Sequence, residues 1–183
     1  MTASSDQAAT GSRPDAYTTA AEAIDDLYRA HGLGLVGLAV MLVGDQPTAE
    51  DVVQEAFLSL YRGWHRVRDQ AAVLPYLRTS VVNGARSALR GRGRRNALLL
   101  RAAQHDPPVW SAEAAAIDGE DRRALMTAVA GLPQRQREVL ALKYYLGLAE
   151  HEIAALLRIS RSTVSSTSAR AVIALTRQLK ERE

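Results

Sequence analysis

Apolar positions in this chain recur at helical rather than strand spacing. Val53, Phe57, Leu60, Tyr61 and Trp64 stand at offsets of four, seven, eight and eleven, which is one face of an amphipathic helix. Leu27, Val36, Val40 and Val43 can form a second stripe upstream, and Leu77, Val81, Ala85 and Leu89 a third downstream. Between the first two helices the segment Gly44 to Pro47 breaks the pattern, and Pro47 suits the opening turn of the next helix. A loop is expected from Arg66 to Ala72, with the third helix starting near Pro75.

The stretch from Leu132 to Leu175 reads as three helices separated by short breaks. The last two have the spacing of a helix-turn-helix, a unit that lays its second helix in a DNA groove. Ile153, Leu156 and Leu157 give the first motif helix, Glu150 to Leu157, its apolar side, and Ala154 is small where the helices cross. The turn is Arg158–Ile159. Ser160 is a good N-cap, because its hydroxyl can accept from an orphan amide. On the second helix, Arg161, Ser162, Thr163, Ser165, Ser166, Thr167 and Arg170 are the candidates to meet phosphates and base edges. An ordinary helical hairpin with a serine-rich solvent face would show much the same pattern.

Composition narrows the fold class. Ala and Leu carry most of the 47% hydrophobic content and aromatics are only 5%, a balance that favours helices. No hairpin signal is present. The expected architecture is all-α: two small helical domains joined by a flexible linker, the C-terminal one containing the helix-turn-helix. Residues 1–16 read as a disordered tail, 17–92 as the first domain, 93–117 as the linker and 118–183 as the second domain. Leu98 to Leu100 could form a helical turn within the linker.

Charge and reactive groups change the picture in two ways. Net charge is only +3, yet seven arginines (Arg78, Arg86, Arg90, Arg92, Arg94, Arg95 and Arg101) lie between Gln70 and His105 with no acid among them. Such asymmetry points to a polyanion partner for the middle segment, though a solvated helix face with a basic tail would also produce it. The chain has no cysteine, which excludes disulfides and thiolate metal sites and fits a reducing compartment. His151–Glu152 begins like a zinc-protease motif, but Ala155 stands where the second histidine is needed. No metal, cofactor or catalytic site is expected. The longest uncharged apolar run, Leu33 to Gly44, has twelve residues, so no membrane insertion is expected and a cytoplasmic protein is the default.

Three stretches, in this order, resemble the alternative sigma factors of bacterial RNA polymerase, of the extracytoplasmic-function type. GDQPTAEDVVQEAFLSLYRGW (Gly44 to Trp64) is similar to the family's core-binding segment. PYLRTSVVNGARSALRGRGRR (Pro75 to Arg95) is similar to its promoter-melting helix. LPQRQREVLALKYYLGLAEHEIA (Leu132 to Ala154), with the helix after it, resembles its upstream promoter reader. The resemblance implies a sigma factor, not an enzyme, that binds core RNA polymerase and directs it to specific promoter DNA. It assigns Asp51, Gln54, Glu55 and Leu58 to the polymerase contact. It assigns Arg66, Arg68, Asn83, Arg86 and Arg90 to the melting element, with the loop Arg66 to Gln70 capturing an unpaired base. Trp64 and Tyr61 are expected to pack the core. The linker acids Asp106 and Glu113 would thread toward the polymerase active site, and an anti-sigma factor is a further implied partner.

The reading unit departs from the family pattern. Ala149 stands where a serine usually caps the first motif helix, and Arg158 where the turn usually holds glycine. Ser162, Ser165, Thr167 and Ser168 replace glycine, lysine, arginine and an apolar residue. Two other functions therefore remain open: a stand-alone helix-turn-helix regulator, and a helical adaptor with weakened DNA reading.

Overall fold

The computed structural model describes residues 16–99 and 119–181, with side chains described for 20–94 and 123–181. Every regular element among them is helical. Three long helices come first: α1 (Ala16–Val43), α2 (Gln46–Gly63) and α3 (Val73–Leu99). Four follow: α4 (Gly119–Ala130), α5 (Gln134–Leu140), α6 (Glu150–Leu157) and α7 (Arg161–Lys180). The expected tail and most of the expected linker, with Asp106 and Glu113, lie outside the described residues.

α1 is long and apolar enough to cross a bilayer by composition alone. Here it is instead a core helix. Leu35, Leu38, Ala39 and Leu42 are its buried residues and pack with Val53, Phe57 and Leu60 of α2 and Leu77, Val81 and Ala85 of α3. The expected stripe is therefore displaced. Of its four members only Val43 is fully buried, while Leu27, Val36 and Val40 pack at the margin. Residues 33–43 hold only apolar residues and glycine, so no polar position marks the outward side and the phase is not fixed by the pattern.

The breaks have local causes. Gly44 ends α1 at φ 90°, a conformation in which any Cβ is strained. Asp45 then caps α2, its carboxylate accepting from the Thr48 N–H at 3.0 Å. Two 3-10 turns, Trp64–Arg66 and Gln70–Ala72, frame the loop into α3. Asp69 caps the second, accepting from the Ala71 N–H at 2.9 Å.

α3 starts two residues before Pro75 and continues to Leu99, beyond the expected boundary at Arg92. Gly91 and Gly93 do not break it, and the expected separate turn at Leu98 to Leu100 is largely the end of this helix. An anchor explains the persistence. The Arg92 guanidinium donates to the Val43 carbonyl at 3.2 Å, to Asp45 at 2.5 Å and to Thr48 Oγ1 at 3.1 Å. That anchor fixes the helix where glycine would cost only about 1 kcal/mol.

The second set of helices packs on the first. Val139, Leu142, Ile153, Leu157 and Val164 join the same continuous core as α1–α3. After α5 the backbone widens into one π-helical turn, Ala141–Tyr145, closed by Leu146 N–H donating to the Ala141 carbonyl at 3.2 Å.

Candidate nucleic-acid interface

Three surfaces carry the residues singled out from the sequence. The first is the outer face of α2. Val52, Val53, Ala56, Phe57 and Leu60 turn inward, so Asp51, Gln54, Glu55 and Leu58, at offsets of three, four and seven, share the solvent side. All four are exposed. Glu55 pairs with Arg62 at 3.1 Å, and Leu58 stays 47% exposed beside them. Tyr61 does not pack the core as expected. It is 39% exposed, because it lies one turn beyond Leu58 on this same face. Trp64 does pack against the core, half-buried.

The second surface combines the loop before α3 with one side of that helix. Arg66 and Arg68 are exposed, and the Arg66 Nε donates to His65 Nε2 at 3.1 Å. Asn83 and Arg90 project from α3 into solvent, with Arg90 donating to Ser87 Oγ at 2.9 Å.

Arg86 lies between them and is engaged differently. Its Nε and Nη2 donate to the two carboxylate oxygens of Glu138 in α5, both at 2.7 Å, while Nη1 reaches Asn83 Oδ1 at 3.4 Å. Glu138 is only 3% exposed and also accepts from Gln134 at 3.0 Å and Arg135 at 3.4 Å. Hydrogen bonding to Glu138 raises the Arg86 pKa further, against the opposing effect of burial. The bidentate geometry is the strong form of an arginine–carboxylate pair.

Arg137, just before Glu138 in α5, is half-buried. It donates to the Leu42 carbonyl of α1 at 2.8 Å and to the Ala130 and Leu132 carbonyls at 2.6 and 3.1 Å. Burial lowers its pKa, partly offset by Glu138. Neither Arg137 nor Glu138 stands out in the sequence as a functional residue. A signal existed for Glu138: it stands four residues before the fully buried Leu142, in an inward phase where an acid breaks the pattern. Arg92 belongs to the basic stretch in sequence, yet its guanidinium is spent on the α1–α2 junction.

The third surface is α7. Ser160 caps it as expected, its Oγ accepting from the Thr163 N–H at 3.1 Å. Val164, Thr167, Ser168 and Ala171 form the inward row, at offsets of three, four and seven. Thr167 is consequently 4% exposed and belongs to the packing face, a correction to its expected place among the DNA-facing residues. Arg161, Ser162, Thr163, Ser165, Ser166 and Arg170 are exposed. Buried Ser168 finds a polar neighbour in Tyr144, whose Oη lies 3.4 Å from its Oγ.

The departures in the motif are met locally. Ala149 has no capping side chain, but Glu152 supplies half of a capping box by accepting from the Ala149 N–H at 2.8 Å. Arg158 adopts φ 55° and ψ 52°, the left-handed conformation that glycine favours. It closes a Schellman turn in which the Ile159 N–H donates to the Ala154 carbonyl at 3.0 Å.

Among the described residues no group of His, Asp and Glu side chains could hold a metal ion. A shallow cleft of about 420 Å³ lies beside Trp64, lined by Asp26, Leu27, Gln70 and Val73 among others.

Residues 27–95 match the model for Sigma-70 region 2, and residues 122–175 match Sigma-70, region 4. The chain is 32% identical over 161 residues to the ECF RNA polymerase sigma factor SigM of Mycobacterium tuberculosis, covering 86% of this chain and 77% of that protein. It is 30% identical over 152 residues to the probable RNA polymerase sigma factor RfaY of Xanthomonas campestris, covering 81% of this chain; the match spans only 38% of that longer protein. The fold resembles the sigma factor RpoE of Bartonella quintana, solved with the anti-sigma factor NepR. That likeness has a TM-score of 0.69 and 23% identity, over 85% of this chain and 98% of that one. With both regions matched in order on an all-helical scaffold, the chain belongs to the extracytoplasmic-function sigma factors of the sigma-70 family, which direct RNA polymerase to promoters.

Proposed function

We propose that this sigma factor divides its work among the three surfaces, in the cytoplasm. Residues 17–92 form the unit that grips core polymerase and the opening promoter, 93–117 the linker, and 118–183 the upstream reader. Asp51, Gln54, Glu55 and Leu58 dock on the polymerase. The observation that carries this reading is that all four stand exposed on one face of α2 while the opposite face supplies the core. Carboxylates around an exposed leucine suit a partner that offers cations around an apolar spot.

Arg66, Arg68, Asn83, Arg86 and Arg90 follow the strand displaced as the duplex opens. Basic side chains track a single-stranded backbone, and a cleft beside an aromatic can accept an unstacked base. Arg161, Ser162, Thr163, Ser165, Ser166 and Arg170 meet the upstream element in the major groove. Thr167 holds α7 against its own unit instead. With Arg161 and Arg170 the only cations among these six residues, phosphate contacts are few and salt dependence is shallow. An anti-sigma factor that covers the α2 face is the natural inhibitor; RpoE, whose fold this chain shares, was solved in complex with an anti-sigma factor.

Run-off transcription with purified core polymerase tests the whole. The expected result is initiation at defined start sites only when core and this chain are combined. Failure to form a complex with core would end the proposal. Tight duplex binding by a stable dimer of the free chain would favour a stand-alone regulator.

A further inference from the structure

The cleft beside Trp64 is lined in a way that favours one base over the others. Its volume of about 420 Å³ falls within the range of about 300–1,000 Å³ for small-ligand pockets. Leu27 of α1 and Val73 at the start of α3 are apolar walls, and Val73 is buried. Trp64 packs half-buried against the core, so its ring has a set position. Among the described residues the lining holds one acid, Asp26, and one amide, Gln70.

An acid is unexpected here. Arg66 and Arg68 stand exposed on the adjoining loop, and a carboxylate repels the phosphates that such arginines attract. Holding Arg29 does not account for Asp26. The close partner of Arg29 is Asp25, whereas Asp26 is 3.5 Å away with its side chain 79% exposed. A pair so exposed adds little to stability. The carboxylate is therefore available to a guest in the cleft. Gln70 is placed by the backbone: it opens the 3-10 turn that Asp69 caps through the Ala71 N–H.

We propose that Asp26 makes the cleft selective for guanine in the unpaired promoter strand. This rests on reading the cleft as the holder of an unpaired base. A carboxylate only accepts, through two oxygens side by side. Guanine alone among the four bases sets two donors side by side on its pairing edge, the ring N–H and the exocyclic amine. The match is bidentate, the strong form of a carboxylate hydrogen bond. The guanine carbonyl next to those donors accepts from the Gln70 amide, and Trp64 offers its face for stacking. Thymine, cytosine and adenine each bring a single donor group to that edge, so one carboxylate oxygen would lose its partner. Flipped bases are read along this edge in general, because leaving the stack exposes it.

The test uses the full chain with core polymerase and a promoter it serves. Each position of the opened non-template strand is varied singly, and run-off transcripts are measured. One position is expected to prefer guanine by about tenfold, the scale of one bidentate base contact. Inosine, which lacks only the amine, should lose most of that margin. Asp26→Asn leaves one acceptor oxygen, so the preference should shrink to about twofold. Gln70→Ala should weaken the preference at the same position. Asp25→Asn, which removes the close partner of Arg29 outside the cleft, should leave it unchanged.

Guanine reading by Asp26 is overturned if no opened position prefers guanine, or if inosine serves as well. It is equally overturned if Asp26→Asn keeps the parent's preference, or if Asp25→Asn erodes it as much. A preference for another base that Gln70→Ala abolishes would keep the cleft as a base holder and discard Asp26 as its guanine reader. Failure to initiate at all would instead sink the proposed function, so the failures can be told apart.

Discussion

Arg158 offers the cleanest measure of how far this reading unit has drifted from its ideal geometry. Its φ of 55° lies where a Cβ clashes with the following carbonyl, a cost of about 1–2 kcal/mol for a residue other than glycine. The side chain is exposed and has no hydrogen bond or ion pair among the described residues, so little is lost with it. Arg158→Gly removes the clash but adds backbone freedom to the unfolded chain, worth roughly 0.5–1 kcal/mol in the opposite direction. The balance is a stabilisation of about 0.5–1 kcal/mol. In a chain of 183 residues that corresponds to a rise in melting temperature of about 1–4 °C. Thermal unfolding followed by far-ultraviolet circular dichroism reads it. Arg158→Ala is the control, since it discards the same guanidinium and keeps the strain; it should show no gain. A lower melting temperature for the glycine variant, or an equal rise for the alanine variant, would refute the assignment of strain to this turn.

Other outcomes follow from the same structure. Asp45→Asn should destabilise the junction of α1, α2 and α3 by about 1 kcal/mol at pH 7, where the parent carboxylate pairs with a partly exposed Arg92. Burial opposes ionisation of Asp45, but hydrogen bonds from Thr48 and Arg92 outweigh it and hold the pKa below the ordinary value. A depressed carboxylate stabilises the fold above its unfolded pKa of about 3.9 and loses that contribution as pH falls through the folded value. Urea midpoints of parent and variant should therefore differ at neutrality and converge as pH falls below the ordinary carboxylate range. Leu58→Asp should leave the melting temperature unchanged while abolishing co-elution with core polymerase on size exclusion, since the residue is exposed in the free chain. Thr167→Val should leave promoter use within about twofold, because the hydroxyl faces its own unit. Arg161→Ala with Arg170→Ala should flatten the salt dependence of upstream-fragment binding, by about one unit of slope for each phosphate that is no longer neutralised.

Local chemistry made much of the fold legible before any coordinates. The break at Gly44 to Pro47, the Ser160 cap and the bounds Glu150–Leu157 rest on short-range geometry that glycine, proline and serine announce by themselves. The exposed face of α2 was legible for a similar reason, since a dense apolar row leaves only one side for Asp51, Gln54, Glu55 and Leu58. What escaped depended on contacts distant in sequence. The extension of α3 through Gly93 needs Asp45 and Val43 to hold Arg92. Burial of Glu138 needs Arg86, and nothing in the spacing of arginines distinguishes these two from Arg90, which is exposed. Thr167 was misplaced because threonine and serine occur on both sides of α7, so polarity gave no phase. Buried Val164 and Ala171 did carry the phase, at offsets of minus three and plus four from Thr167.

The carbonyl end of α1 has no basic residue of its own in its last turn and borrows two guanidiniums from farther along the chain. Arg92 serves Val43 and Arg137 serves Leu42. A proteolytic fragment ending after α3 would keep the first donor and forfeit the second. Its amides near Met41 should then exchange with deuterium faster than in the intact protein, so a truncated first unit is an imperfect stand-in for the same segment in the whole molecule.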